Sequence, residues 1–153
     1  ITRPAPTGLV ARLNGAAPGP AIALRADIDA LKMPEMTGVD YASRHDGVMH
    51  ACGHDAHTAM LLGVLSVLSK NQQQLKGTFV FIFQHAEELP PGGALELVNA
   101  EVLAGVDAIG VDEAGDLDHR VLAQLGDQQR ARPGTVRPGA AGTDHGQTVL
   151  TLI

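Results

Sequence analysis

The sequence predicts an α/β fold built on a layered sheet, and three observations carry that expectation. Short apolar runs of strand length, AIALRA at 21–26, FVFIF at 79–83 and VDAI at 106–109, alternate with helical stretches at 56–69 and 94–100. The first two runs lack the polar alternation of a half-solvated strand, which is the pattern of strands covered on both faces. Both are followed within a few residues by paired acids, Asp27-Ile28-Asp29 and Glu87-Glu88.

Taken in order, Thr7 to Leu13 (TGLVARL) is expected as a first short strand, closed by Asn14-Gly15 and by Pro18-Gly19-Pro20 as turn material. Ala21 to Ala26 follows as the second strand. Pro34 and Gly38 keep the next residues in a loop that runs through Tyr41 to Gly47. Ala56 to Ser69 is apolar on nearly all sides, so a buried helix is expected there, with Gly63 marking close packing. NQQQL at 71–75 is a polar connection. Gly77-Thr78 then opens the strongest strand, which carries all three phenylalanines. Pro90-Pro91-Gly92-Gly93 breaks the chain before a helix at 94–100, and 106–109 is another short strand. From Gly110 to about Arg132 hydrophobic periodicity is weak and irregular structure is expected; 148–153 recovers a strand-like pattern.

Composition limits the function. A chain of 153 residues is one domain by length, with 44% hydrophobic and 18% charged residues, and it can bury a core. A net charge of −6 argues against nucleic acid or an anionic membrane as partner. The absence of tryptophan and a single tyrosine argue against an aromatic binding platform. Cys52 is the lone cysteine, so no disulfide framework exists and a reducing, cytoplasmic setting is expected. The longest apolar run, about Ala59 to Leu68, is too short for a bilayer span, which takes roughly 20 residues. No signal peptide is visible, and a start at Ile1 without Met is expected of a processed product or fragment.

The chemistry concentrates in Met49-His50-Ala51-Cys52-Gly53-His54-Asp55-Ala56-His57-Thr58, with three imidazoles, a thiol and a carboxylate. If 50–54 is extended, a period of two puts His50, Cys52 and His54 on one face. Asp55 is then placed to cap the following helix. Thiolate and imidazole together suit a borderline cation such as zinc. Adjacent glutamates in extended chain point to opposite sides, so Glu87 and Glu88 are expected to divide the work. One holds metal; the other takes a proton from water. Singly, each signal has a bland reading. A lone Cys is usually a small buried hydrophobe, Asp29 fits a turn, and Glu-Glu pairs are commonly solvated surface. His45, His119 and His145 keep the bland reading. Coincidence decides for metal, because Cys-x-His and Glu-Glu each follow an apolar strand.

Three segments, Ala23-Leu24-Arg25-Ala26-Asp27-Ile28-Asp29-Ala30-Leu31, the His50–Thr58 stretch and Phe83-Gln84-His85-Ala86-Glu87-Glu88, resemble the aminoacylase/carboxypeptidase family of metallopeptidases. The similarity is to the amidohydrolase branch of hippurate hydrolase and the auxin-conjugate hydrolases, near continuous from Gly8 to Ile109. The resemblance implies hydrolysis of the amide of N-acyl amino acids or short peptides by two divalent ions, zinc, manganese or cobalt. It implies a three-layer, zinc-exopeptidase-like catalytic domain with a central mixed sheet, incomplete here, and a smaller inserted lid domain. Carried over by motif, Cys52, His54 and Glu88 are metal ligands, Glu87 is the general base and Asp29 an orienting acid.

The chain departs from that pattern after the 106–109 strand. Where the family has a ligand histidine, Gly110-Val111-Asp112-Glu113 stands, so a carboxylate from Asp112 or Glu113 is the expected replacement. The last ligand histidine of the family belongs to a C-terminal portion that is absent. Residues 1–138 are expected to be the N-terminal part of the catalytic domain and 139–153 the start of the lid or dimerisation domain. A homodimer is expected of the complete protein. The alternatives are an inactive metal-binding or partner-binding remnant, and a structural α/β domain whose Cys and His are core.

Overall fold

The structure is a computed structural model that describes residues 1–111 and 149–151. Its elements are β1 (Leu9–Asn14), β2 (Ala17–Asp27), α1 (His54–Lys70), a 3-10 turn (Gln72–Gln74), β3 (Lys76–Gln84), α2 (Gly93–Asn99), β4 (Ala108–Val111) and β5 (Val149–Thr151). They form one mixed sheet in the order β1-β3-β2-β4-β5. β2 lies parallel to both β3 and β4, β5 lies parallel to β4, and β1 runs antiparallel along β3. The mixed α/β architecture is the expected one.

The alternation of side chains along β3 builds two cores. Val80 and Ile82 face a cluster with Val10, Ala23, Leu97, Val98, Val102, Val106 and Ile109, under α2 and the turns after it. Phe81 and Phe83 face the other way, into a cluster with Ala11, Ala26 and Leu61, against which Val64, Leu65 and Leu68 of α1 pack. Helix, sheet and helix therefore make three layers. The topology demands this. From β2 the chain crosses by α1 to one neighbour, β3; from β3 it crosses by α2 back to β4 on the other side of β2. Right-handed crossovers in opposite directions put their helices on opposite faces. The connections leaving β2 and β3 therefore start toward opposite faces, and it is at the carboxyl ends of their strands that such sheets receive ligands.

Several local expectations are corrected. Pro18-Gly19-Pro20 does not form a turn; it lies inside β2, where the pairing with β3 shifts register between Ala17 and Ala21. Proline has no N–H for the ladder, and an interrupted ladder asks for none. Residues 50–54 do not form a strand, because Cys52 and Gly53 lie in a bend and His54 opens a helix, so no period of two aligns His50, Cys52 and His54. The chain returns from an isolated bridge between Leu31 and Met49, bends, and enters α1 at His54. The N-cap is Gly53, at φ 82°, a left-handed conformation that glycine adopts without strain. Asp55 sits one residue inside the helix, in its first turn, where its charge favours the exposed N–H groups without capping them.

Helix α1 also begins two residues earlier than expected, and it is not buried all round. The sheet covers one side only; Met60 and Val67 are each 60% exposed and Leu62 50%. Mean apolarity did not report burial here because nothing among the described residues covers the outer face. The loop at 32–48 is ordered by Glu35, which accepts the Ser43 amide at 2.6 Å and the Thr37 hydroxyl. Those two hydrogen bonds, the Ser43 amide first, hold its carboxyl below the usual range. Residues 112–148, with the expected irregular stretch and Asp112, lie outside the described residues, as does the link into the expected lid.

The burial contrast is testable by urea denaturation. Phe81 is fully buried, so Phe81→Ala is expected to cost about 3–5 kcal/mol. Met60→Ala, on the open side of α1, is expected to stay within about 0.5 kcal/mol of the parent. A large loss at Met60 would mean that its side chain is covered.

Candidate metal centre

Three chain segments meet at the carboxyl ends of β2 and β3: the end of β2 with Asp27 and Asp29, the bend into α1 with Cys52 and His54, and the turn after β3 with Glu87 and Glu88. His54 is their meeting point, and it is 1% exposed. Its Nδ1 lies 2.9 Å from the backbone oxygen of Asp29, an acceptor, so Nδ1 carries the proton and Nε2 is left to face the centre. Glu87 Oε2 lies 3.9 Å from that Nε2 and Asp27 Oδ2 lies 4.0 Å from it. Asp29 Oδ1 stands 3.5 Å from Nδ1 on the other edge of the ring.

Asp29 does more than hold the ring. Its Oδ2 accepts the backbone N–H of Glu88 at 3.1 Å, which joins the end of β2 to the glutamate turn. Thr58 fixes the helix in the same way, its one hydroxyl hydrogen shared between the Asp27 carbonyl at 3.0 Å and the His54 carbonyl at 2.8 Å. The glutamate turn itself bends sharply because Ala86 takes a φ of 51°. Its carbonyl accepts the Gly93 amide at 2.9 Å, and a Cβ at Gly93 would collide with the His85 carbonyl. Glu87 and Glu88 are therefore not in extended chain, and both carboxylates lie near the same imidazole.

One donor atom each from Cys52, His54 and Glu88 lie within 4.8 Å of one another. A thiol, an imidazole and a carboxylate converging at that spacing fit a borderline divalent cation. Asp29 Oδ1, buried without a hydrogen bond, adds negative charge beside them. The donors come together, but not for the reason the sequence suggested: Cys52 and His54 open a helix instead of ending a strand. Two residues that sequence reasoning left without a role also arrive. In the sequence Asp27 stands only as a companion of Asp29, and His57 only as one imidazole among three. Their placement beside His54 needed the β2–α1 packing, although the three-residue step from His54 to His57 on a helix was available as a signal.

Comparison with known proteins gives the same direction. Peptidase family M20/M25/M40 matches residues 23–143. The chain belongs to that family. An N-acyl-L-amino acid amidohydrolase of Geobacillus stearothermophilus is 51% identical over 109 residues, covering 71% of the chain and 30% of the relative. An N-acetyl-L-cysteine deacetylase of Bacillus subtilis is 53% identical over 103 residues, covering 67% of the chain and 24% of that protein. Among solved structures, a dinuclear metal-binding M20 peptidase of B. subtilis superposes with a TM-score of 0.65 at 50% identity, over 69% of the chain and 29% of its own. This M20 chain thus spans about 30% or less of the length of these relatives.

Burial opposes a charge on His54, but the Asp29 carbonyl and the carboxylates of Asp27, Asp29 and Glu87 outweigh it and raise the imidazole above its ordinary value. In the metal-free chain this stabilises the fold below the unfolded value of about 6.5, a contribution lost as pH rises through the higher folded value. A cation competes with the same proton, so its affinity weakens as pH falls through that folded value. An NMR titration is expected to place His54 above an ordinary histidine and to move it down in Glu87→Gln. A His54 that titrates below ordinary histidine would contradict this field.

Proposed function

We propose that this chain is the N-terminal part of the catalytic domain of a metal-dependent amidohydrolase that cleaves N-acyl amino acids or short peptides at the amide. The observation that carries the reading is the convergence of Cys52, His54 and Glu88 with Glu87 set 3.9 Å from His54 Nε2. Membership of the M20 family and likeness to an N-acyl-L-amino acid amidohydrolase support the substrate class. Residues 1–138 belong to the catalytic domain in this reading and 139–153 begin a lid or dimerisation domain; the complete protein works in the cytoplasm as a homodimer. Cys52, His54 and Glu88 hold metal, with Asp112 as a further ligand.

Two divalent ions, zinc, manganese or cobalt, would supply a water of lowered pKa and a polarised amide carbonyl. The chain's own residues do the rest. Asp29 selects the His54 tautomer and, through the Glu88 amide, sets the glutamate turn. Glu87 takes a proton from the attacking water as oxygen bonds to the carbonyl carbon. It then returns the proton to the amide nitrogen as the C–N bond breaks, releasing a carboxylic acid and a free amine.

An inactive remnant is the second reading, and ligand count favours it for the chain by itself. The proposed set has three donors among the described residues, Cys52, His54 and Glu88, whereas a two-ion site needs more to hold its ions a few ångströms apart. The 153-residue chain is accordingly expected to hydrolyse N-acetyl and N-benzoyl amino acids poorly with zinc, manganese or cobalt. Specific activity equal to that of a protein extended to the length of its relatives would remove the account of missing ligands.

Two variants divide the roles. In such an extended enzyme Glu87→Gln is expected to retain metal and lose about 10²–10⁴-fold in kcat. Glu88→Gln is expected to lose metal as well, read by elemental analysis. Near-normal turnover in Glu87→Gln would refute its role as base.

A further inference from the structure

A second set of donors meets at His54. One atom each from Asp27, His54 and His57 also fall within 4.8 Å of one another. His54 and His57 stand three residues apart on α1, so their rings share a face, with centroids 5.7 Å apart and planes tilted by 35°. Asp27, 1% exposed, ends β2. Its Oδ1 pairs with the Arg25 guanidinium, which is fixed in turn by Gln84 at 3.1 Å; its Oδ2 faces His54 Nε2 at 4.0 Å. Thr58 ties this helical turn to the end of β2, so the distances between the donors are set by backbone packing.

We propose that Asp27, His54 and His57 form a second cation seat that shares His54 with the Cys52/Glu88 seat, so that an ion in one excludes an ion from the other. The exclusion follows from the ring. His54 Nδ1 donates to the Asp29 carbonyl, which leaves Nε2 as the single nitrogen for a cation. The second seat has two imidazoles and a carboxylate and no sulfur, and it is more deeply buried. That donor set suits first-row divalent cations such as zinc, cobalt or iron and not magnesium or calcium, whose sites are all oxygen. Zinc–ligand bonds of about 2.0–2.1 Å make tetrahedral edges of roughly 3.3 Å, so Asp27 and His54 need close by less than about 1 Å. The rival reading is that Asp27 is only a structural partner of Arg25 and a source of negative charge beside His54. The seat stands on the geometry of these three residues and does not depend on hydrolytic chemistry.

Cobalt(II) titration of the full 153-residue chain separates the readings, because thiolate coordination gives an intense near-ultraviolet charge-transfer band. The parent is expected to bind its first ion with that band. Cys52→Ser is expected to lose the band and keep one ion, now at the second seat with visible absorption of nitrogen and oxygen coordination. His57→Ala in the Cys52→Ser background is then expected to weaken binding by more than the roughly 10–100-fold that losing even an outer partner costs. His57→Ala alone is expected to keep both ion and band, and circular dichroism checks that each variant is folded. Cys52→Ser that binds no cobalt, or binds it without dependence on His57, would overturn the second seat. A second ion on the parent that disappears with His57→Ala would overturn the exclusion.

Discussion

The hydrogen bond between His54 Nδ1 and the Asp29 carbonyl is the constraint on which the site depends. It joins the first residue of α1 to the segment leaving β2, fixes the tautomer of a buried imidazole and points its other nitrogen at the carboxylates of Asp27 and Glu87. A buried histidine without that acceptor would leave a polar nitrogen unsatisfied, at a cost of about 1–3 kcal/mol. With it, the ring is held in one orientation and one tautomer. The same residue reaches the third segment through its side chain, which accepts the Glu88 amide. Asp29 therefore locks strand end, helix start and glutamate turn together, and its backbone and carboxylate have separate tasks.

The sheet explains why those three segments meet. α1 and α2 leave neighbouring parallel strands toward opposite faces, so the carboxyl ends of β2 and β3 stand side by side between the two helix layers. The phenylalanines of β3 anchor one layer and its valine and isoleucine the other, so the strand that delivers Glu87 and Glu88 is buried from Val80 to its end. Catalytic precision needs such a support, since displacement of about 1 Å can cost on the order of 100-fold in rate. The loops carry the chemistry, while the strands set where it stands.

How much of this was legible in the sequence follows from the range of each interaction. Strands β2 and β3 could be read because a run covered on both faces is apolar throughout. Cys52, His54 and Glu88 could be proposed together because their segments carry unusual residue types close to such runs. Local geometry was harder. The extended reading of 50–54 failed because Gly53 turns left-handed and starts the helix at His54. The all-round burial of α1 failed because a helix packed on one sheet face leaves its other side open, whatever its composition. Asp27 and His57 could not be placed beside His54 without the packing of α1 against β2, which joins residues about thirty positions apart in sequence. Pro18 and Pro20 read as turn material because a bulge that accommodates proline inside a strand has no separate sequence signal.

The central claim is that the β2 end, the start of α1 and the glutamate turn form a cation site centred on His54. X-ray absorption spectroscopy of the zinc-loaded chain tests it most directly. The account predicts one sulfur scatterer at about 2.3 Å, from Cys52, with nitrogen and oxygen at about 2.0–2.2 Å, and loss of the sulfur shell in Cys52→Ser. Zinc bound with no sulfur in its coordination shell, or with a shell unchanged by His54→Ala, would contradict it.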